Sequence, residues 1–301
     1  MALDRDRGAP ATIAVIGAGA MGAGIGGLLV RAGHAVVTPL AGRSDASRAR
    51  ACAAGIPGCT MAEAAGSDLI LSVVPGDQAG AVAQAVIAAR KQVGGGRAGG
   101  HDAGRGRAVF VDCNPLQPAQ ARSMAGVLER AGLRFVDAAI VGAAPAADGT
   151  RSPRLFACAR DPDALALLAR TGLEIVDTQG PVGSASALKM AIAGVSKGMT
   201  GLIAMMGGLA LREGVGALFV DQLARTQPAL LGWARGQLPT LHPRAARWAV
   251  EMTELSGMVD DMPAQAEMFA ALAEFYAATA RNGPAPTHDA LLDILPGSAC
   301  R

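Results

Sequence analysis

Aromatic residues are scarce in this 301-residue chain, at 3%, with two Trp and one Tyr. A Gly/Arg-rich stretch at 94–107 therefore has no interleaved rings on which bases of single-stranded nucleic acid would stack, and reads as a surface insertion. Charge is also sparse, at 17%, and its balance is only +2. That surplus is too small to argue for nucleic acid or an anionic membrane as partner. The five cysteines (52, 59, 113, 158, 300) are odd in number and scattered, with no Cys-x-x-Cys pair. This pattern predicts reduced thiols in a cytoplasm and no metal site. No long apolar run is present: the longest uncharged one, Gly198 to Leu211, falls short of the roughly 18 residues that suggest a membrane span. The charged start, Met-Ala-Leu-Asp-Arg-Asp-Arg, lacks the apolar region of a signal peptide. What the chain does have is 51% hydrophobic residues and enough length for two domains and a sizeable core.

The first organised stretch is a β-branched run, Thr12-Ile-Ala-Val-Ile16, followed at once by Gly17-Ala-Gly19-Ala20-Met21-Gly22. A helical pattern closed by Gly33 comes next, and a second strand begins at Ala35. Strand, glycine turn, helix and strand within about 30 residues is the setting in which G-x-G-x-x-G reads as a dinucleotide site. Gly17 permits the turn, Gly19 lets backbone approach a pyrophosphate, and Gly22 lets helix and strand pack closely. The N–H groups at the helix start, around Ala20 and Met21, then hold phosphate.

An acid at the end of the second strand would bond a free ribose 2′-hydroxyl. Here the chain reads Thr38-Pro-Leu-Ala-Gly-Arg43-Ser44-Asp45. A guanidinium and a hydroxyl suit a 2′-phosphate, so Arg43 and Ser44 predict NADP rather than NAD. Further strands are expected at 68–74, 108–112, 133–138, 154–159 and 173–177, with helices between them. The runs at 68–74 and 108–112 are apolar, as strands covered on both faces must be. Val74, Pro75 and Asn114 stand at strand ends on the carboxyl edge, where ligands sit in such folds. The spacing predicts an α/β, doubly wound Rossmann-type sheet over 1–178 and an all-α domain over 179–301, punctuated by Pro228, Pro239, Pro243 and Pro263. In the second domain Glu251 and Glu254 share a helical face, expected to be solvated, and a short helix is expected near 288–295.

The second domain opens with one long helix, expected from Ser184 to Glu213 and mostly buried. Lys189 lies on it with no acid one turn away; Ala193, Ser196 and Thr200 fall within about 40° of it around the helix. A buried lysine is costly unless something pairs it or uses it. Lys197, about 80° further round, is the second cation, able to bind a substrate carboxylate or reach solvent.

Three motifs resemble the β-hydroxyacid dehydrogenase family and, within it, 6-phosphogluconate dehydrogenases. They are Gly17-Ala-Gly-Ala-Met-Gly22; Asp137-Ala-Ala-Ile-Val141-Gly142-Ala143, similar to the family's substrate-binding Asp-Ala-Pro-Val-Ser-Gly-Gly; and Lys189-Met190 with Gly194, in the position of the catalytic-lysine helix. The stretch around Trp248-Ala-Val-Glu-Met-Thr-Glu-Leu is similar to a helical domain of unassigned function that follows such NAD-binding domains. The resemblance implies nicotinamide near Val74, Pro75 and Asn114, and Lys189 as general acid/base. It implies substrate contacts at Val141, Gly142, Ala143, Ala193 and Lys197, and a homodimer. The chain departs from the family at Val141, Ala143 and Ala193, and at Ser196 and Lys197, which sets 6-phosphogluconate itself aside. The expected activity is an NADP-dependent dehydrogenase or reductase of a small 3-hydroxy acid or related carbonyl compound. The competing readings are an imine reductase and a non-catalytic NADP-binding regulatory protein.

Overall fold

A computed structural model describes residues 11–95, 108–145, 152–283 and 285–295. The expected charged start and all but the first two residues of the Gly/Arg-rich 94–107 insertion lie outside them. Two compact units are present, Met1–Lys189 and Met190–Arg301.

The first unit carries the sheet. In chain order it runs β1 (Thr12–Ile16), α1 (Ala20–Arg31), β2 (Ala35–Pro39), α2 (Asp45–Ala53), β3 (Gly58–Cys59), α3 (Met61–Ala65), β4 (Leu69–Ser72), α4 (Gly76–Gly95), β5 (Val109–Asp112), α5 (Pro118–Arg130), β6 (Arg134–Val141), β7 (Arg154–Ala159), α6 (Pro162–Ala169) and β8 (Ile175–Asp177). Strand order is β3-β2-β1-β4-β5-β6-β7-β8. The pairs are parallel except β6 with β7. Both faces are covered. Ile13 and Val15 point into one apolar layer, and Ala14 and Ile16 into the other. Continuous apolar strands with helices on each side are the doubly wound arrangement, and its carboxyl edge is where the loops that bind ligand gather.

Three short elements, α2, β3 and α3, escape the sequence reading. Helix α2 is mostly polar and exposed, with Ala51 its one buried residue, so it carries no apolar stripe. Strand β3 is two residues long. Helix α3 has five residues and is marked only by its capping box, Thr60 with Glu63.

Helix α7 (Ser184–Arg212) begins in the first unit and continues in the second. The first unit closes at Lys189, not near Thr178, because the first turn of α7 is tied to the sheet through Asp137. By length and composition α7 is apolar enough to cross a membrane. It is less buried than its sequence suggests: Ile192, Val195, Leu202, Met206 and Leu209 are exposed, Val195 at 69%. An all-apolar helix leaves no mark in the sequence of which face the chain covers.

The second unit continues with α8 (Gly216–Thr226), α9 (Pro228–Gln237), a 3₁₀ turn at Leu238–Thr240, α10 (Leu241–Met258), α11 (Pro263–Asn282) and α12 (Pro286–Ile294). Its core gathers Met190, Ile203, Trp248, Met252, Leu255 and Tyr276. The rings of Trp248 and Tyr276 meet edge to face with centroids 5.3 Å apart. The Tyr276 hydroxyl donates to the Lys197 carbonyl at 2.5 Å, which satisfies the only polar atom of this buried ring.

Candidate cofactor site and the lysine helix

The glycine turn joins β1 to α1. Gly17 has φ +118°, which strongly favours glycine, and a side chain there would strike the Val73 carbonyl. A Cβ on Gly22 would run into the Gly17 carbonyl, so the helix rests directly on the turn. Gly19 differs: nothing lies within 4 Å of a Cβ built there. It is the N-cap of α1, with φ −70°, and no side chain caps the helix. An uncapped helix start beside open space leaves room for an anion to meet its N–H groups. Ala20 and Met21 form its first turn.

Beyond β2 the chain turns at Leu40–Arg43 and enters α2. Arg43 is partly buried, and its backbone N–H donates to the Leu40 carbonyl. Ser44 is the N-cap of α2, its hydroxyl accepting the Ser47 N–H at 3.3 Å. Asp45 occupies the first turn of that helix. A residue the sequence reading missed is Arg50. Its guanidinium donates to the Ala18 carbonyl at 3.2 Å and to the Ser47 hydroxyl at 3.1 Å. It thereby links the glycine turn to α2. Recognising Ser44 as a cap would have placed Ser47 and Arg50 on one face of a helix, three residues apart.

At the carboxyl edge β4 and β5 are laced together by Asn114, which is buried. Its Oδ1 accepts the Val74 N–H at 2.6 Å, and its Nδ2 donates to Ser72 Oγ at 2.9 Å and to Asp112 Oδ2 at 3.1 Å. Its own N–H donates to Asp112 Oδ1. Both amide protons are used, so the side chain fixes the Val74–Pro75 turn from within. Pro75 itself is exposed. Burial raises the Asp112 carboxyl to about pH 6 against the Asn114 bonds, which lower it. Asp137, its register partner on β6, pushes it up further, and Lys189 pulls it down. Burial likewise raises the neighbouring Cys113 thiol, and Lys189 opposes that shift too.

Lys189 is thus not isolated. Its charge is felt at the carboxyl end of β5, where two buried carboxylates stand side by side on neighbouring strands. The acids absent from its own helix come from the sheet, far away in sequence. The lysine itself is partly buried. Lysine is also rare here: against 27 basic residues the chain has three lysines, at 91, 189 and 197. Val141 ends β6 and is partly buried, Gly142 follows with φ +119°, and Ala143 is exposed.

Within the second unit Ala193 is buried. Lys197 is committed to an ion pair, its Nζ 2.5 Å from Glu251 Oε2, with side-chain exposures of 16% and 17%. Arg247 reaches the other oxygen of Glu251 at 3.4 Å. Glu251 therefore faces α7, not solvent as expected, and the Lys197 ammonium is engaged by it. Helical spacing alone did not tell which side of α10 meets α7.

Comparison with known proteins follows this geometry. Residues 12–153 match the model of the NAD binding domain of 6-phosphogluconate dehydrogenase. Residues 210–279 match a domain of unknown function. No curated protein matches the chain. Among solved structures it resembles a conserved protein of unknown function described as structurally similar to 3-hydroxyacid dehydrogenases, at 24% identity and TM-score 0.67, covering 91% of this chain and all of that one. It resembles the 3-hydroxyisobutyrate dehydrogenase of Mycobacterium tuberculosis, solved with L-serine, at 20% identity and TM-score 0.66, over 96% of this chain and 100% of that one. It also resembles the imine reductase of Myxococcus stipitatus in complex with NADP+, at 18% identity and TM-score 0.55, over 94% and 99% of the two chains. A variant of that reductase was solved with NAD+. At these identities the structures establish the fold. The chain is thus similar through residues 12–153 to the NAD binding domain of 6-phosphogluconate dehydrogenase, and through residues 210–279 to a domain of unknown function.

Proposed function

We propose that the chain is an NADP-dependent oxidoreductase interconverting a small 3-hydroxy acid, or a related alcohol, with its carbonyl compound, and that Lys189 moves the proton. The observation that supports this most directly is the tie between the lysine helix and the sheet. Asp137 accepts from Gly183 and from Ser186, three residues before Lys189. It pairs in register with Asp112 at the carboxyl end of β5, beside the Val74–Pro75 turn. A bound nicotinamide supplies or accepts the hydride there. Lys189 donates a proton to the substrate oxygen in reduction and takes it back in oxidation, so charge balances at the reacting carbonyl. Gly17, Gly19 and Gly22 with the start of α1 hold the pyrophosphate. Arg43 and Ser44, backed by Ser47 and Arg50, form the 2′-phosphate end. Val141, Gly142 and Ala143, at the end of β6, are the proposed substrate contacts of the first unit. The protein works as a cytoplasmic homodimer.

Replacing Lys189 by Met tests the reading. The variant is expected to bind NADPH as the parent does and to lose about 10²–10⁴-fold in turnover. A panel of 3-keto acids, semialdehydes and cyclic imines, assayed with NADPH, separates the substrates. Turnover confined to imines assigns the chain to imine reduction. Tight NADPH binding with no turnover of any compound leaves a regulatory binder.

A further inference from the structure

Asp137 is a heavily bonded side chain at the carboxyl edge. It is buried on β6, with 1% exposure. Its Oδ2 accepts the Gly183 N–H at 2.9 Å and the Ser186 N–H at 3.3 Å, and its Oδ1 accepts the Ser186 hydroxyl at 2.7 Å. The thiol of Cys158, its register partner on β7, donates to Oδ2 at 3.4 Å. Gly183 and Ser186 open α7. A helix start has N–H groups without partners inside the helix, and a neighbouring residue of the same chain segment ordinarily caps them. Here the cap comes from 46 to 49 residues away, across the sheet. It is an acidic side chain, and it sits at the positive end of the α7 dipole. Lys189 follows Ser186 by three residues, so it projects from the same side of α7 one turn on.

From this we infer that Asp137 is the positioning residue for Lys189. It pins the first turn of α7 to β6 and so sets where the lysine nitrogen stands against Asp112 and the nicotinamide edge. The inference rests on the proposed proton-transfer role of Lys189 and adds to it a residue that acts through the helix carrying that lysine. Cys158 reaches the same oxygen, Oδ2, as the two N–H groups, and its one S–H is shared with the Pro181 carbonyl at 3.3 Å. Ser186 spans both oxygens, by N–H and by hydroxyl, and fixes the rotation of the helix as well as its height.

The scarcity of lysine makes a direct test possible. Reductive methylation with ¹³C-formaldehyde labels three lysines and the N-terminal amine, and the resonance missing from Lys189→Met identifies Lys189. In Asp137→Asn the Lys189 resonance is expected to change in shift and titration midpoint, while that of Lys91 holds. Amide exchange at Gly183 and Ser186 is expected to quicken. Turnover per NADPH-binding site should fall about 10- to 100-fold with the NADPH Kd unchanged. Ser186→Ala keeps the carboxylate and should show the same changes at smaller size, which carries the test where Asp137→Asn does not fold. An unmoved Lys189 resonance in a folded variant overturns the inference. A moved resonance alongside a fully active Lys189→Met leaves the inference about position standing and refutes the lysine's catalytic role.

Discussion

At the scale of single residues the site divides into groups that face outward and groups that hold them. Arg43 stands in the turn that follows β2. A charge-assisted bond to a 2′-phosphate contributes about 1.5–3 kcal/mol. Arg43→Ala should therefore lower kcat/KM for NADPH by about 10- to 100-fold and leave that for NADH unchanged. A parent enzyme that prefers NADH would sink the NADP assignment. Asp112 is a holding group, and its titration has a definite sign. Its carboxyl is raised from 3.8 to about 6 in the fold. The folded state then binds this proton more tightly than the unfolded chain does. The contribution to stability is fully present below pH 3.8, declines as pH rises through about 6, and is flat above. Two pH units correspond to about 3 kcal/mol. Urea unfolding at a series of pH values should show the parent losing roughly that much between pH 4 and 7 relative to Asp112→Asn. Parallel curves for the two proteins would refute the buried, proton-linked placement.

At the scale of elements, the glycine turn offers a separation of fold from ligand. Gly22→Ala drives a methyl group into the Gly17 carbonyl, so it should lower both the melting temperature and NADPH affinity. Gly19→Ala meets no protein atom and keeps an ordinary φ, so stability should change by less than about 1 kcal/mol. If the pyrophosphate lies where proposed, the added methyl takes its space, and NADPH affinity should fall at least about tenfold. Thermal melts and NADPH titration of both variants check this; a Gly19→Ala protein with unaltered affinity contradicts the placement of the pyrophosphate. That turn, α1 and the apolar strands were legible in the sequence because each is a local pattern of glycine, capping and periodicity. The companions of Lys189 were not. Asp112 and Asp137 become neighbours only through the pairing of β5 with β6, and Asp137 reaches Ser186 only once β6 lies beside the start of α7. Glu251 was misread for the same reason: helical spacing assigns two acids to one face without saying which helix that face meets. Arg50 was lost with α2, whose polar sequence shows no stripe.

At the scale of the whole molecule, the open question is what covers the bare side of α7. Ile192, Val195, Leu202, Met206 and Leu209 are exposed there, and Met199 between them is only partly buried. Successive spacings of three, four, three, four and three residues give a period of 3.5, the spacing of a seam between two helices. A row of large apolar side chains left in water costs each about 1.5–3 kcal/mol relative to burial. Partners of one chain meeting through identical faces satisfy that row without requiring any second protein. The homodimer proposed above would thus join through α7. Val195→Glu with Leu202→Glu places charges in the middle of the seam and touches neither the glycine turn nor Lys189. Sedimentation equilibrium at micromolar concentration should give a dimer for the parent and a monomer for the double variant. NADPH binding should survive, because the match to an NAD binding domain lies in residues 12–153. A parent that sediments as a monomer, or a double variant that stays dimeric, rules out this seam as the interface; the apolar row would then need some other cover.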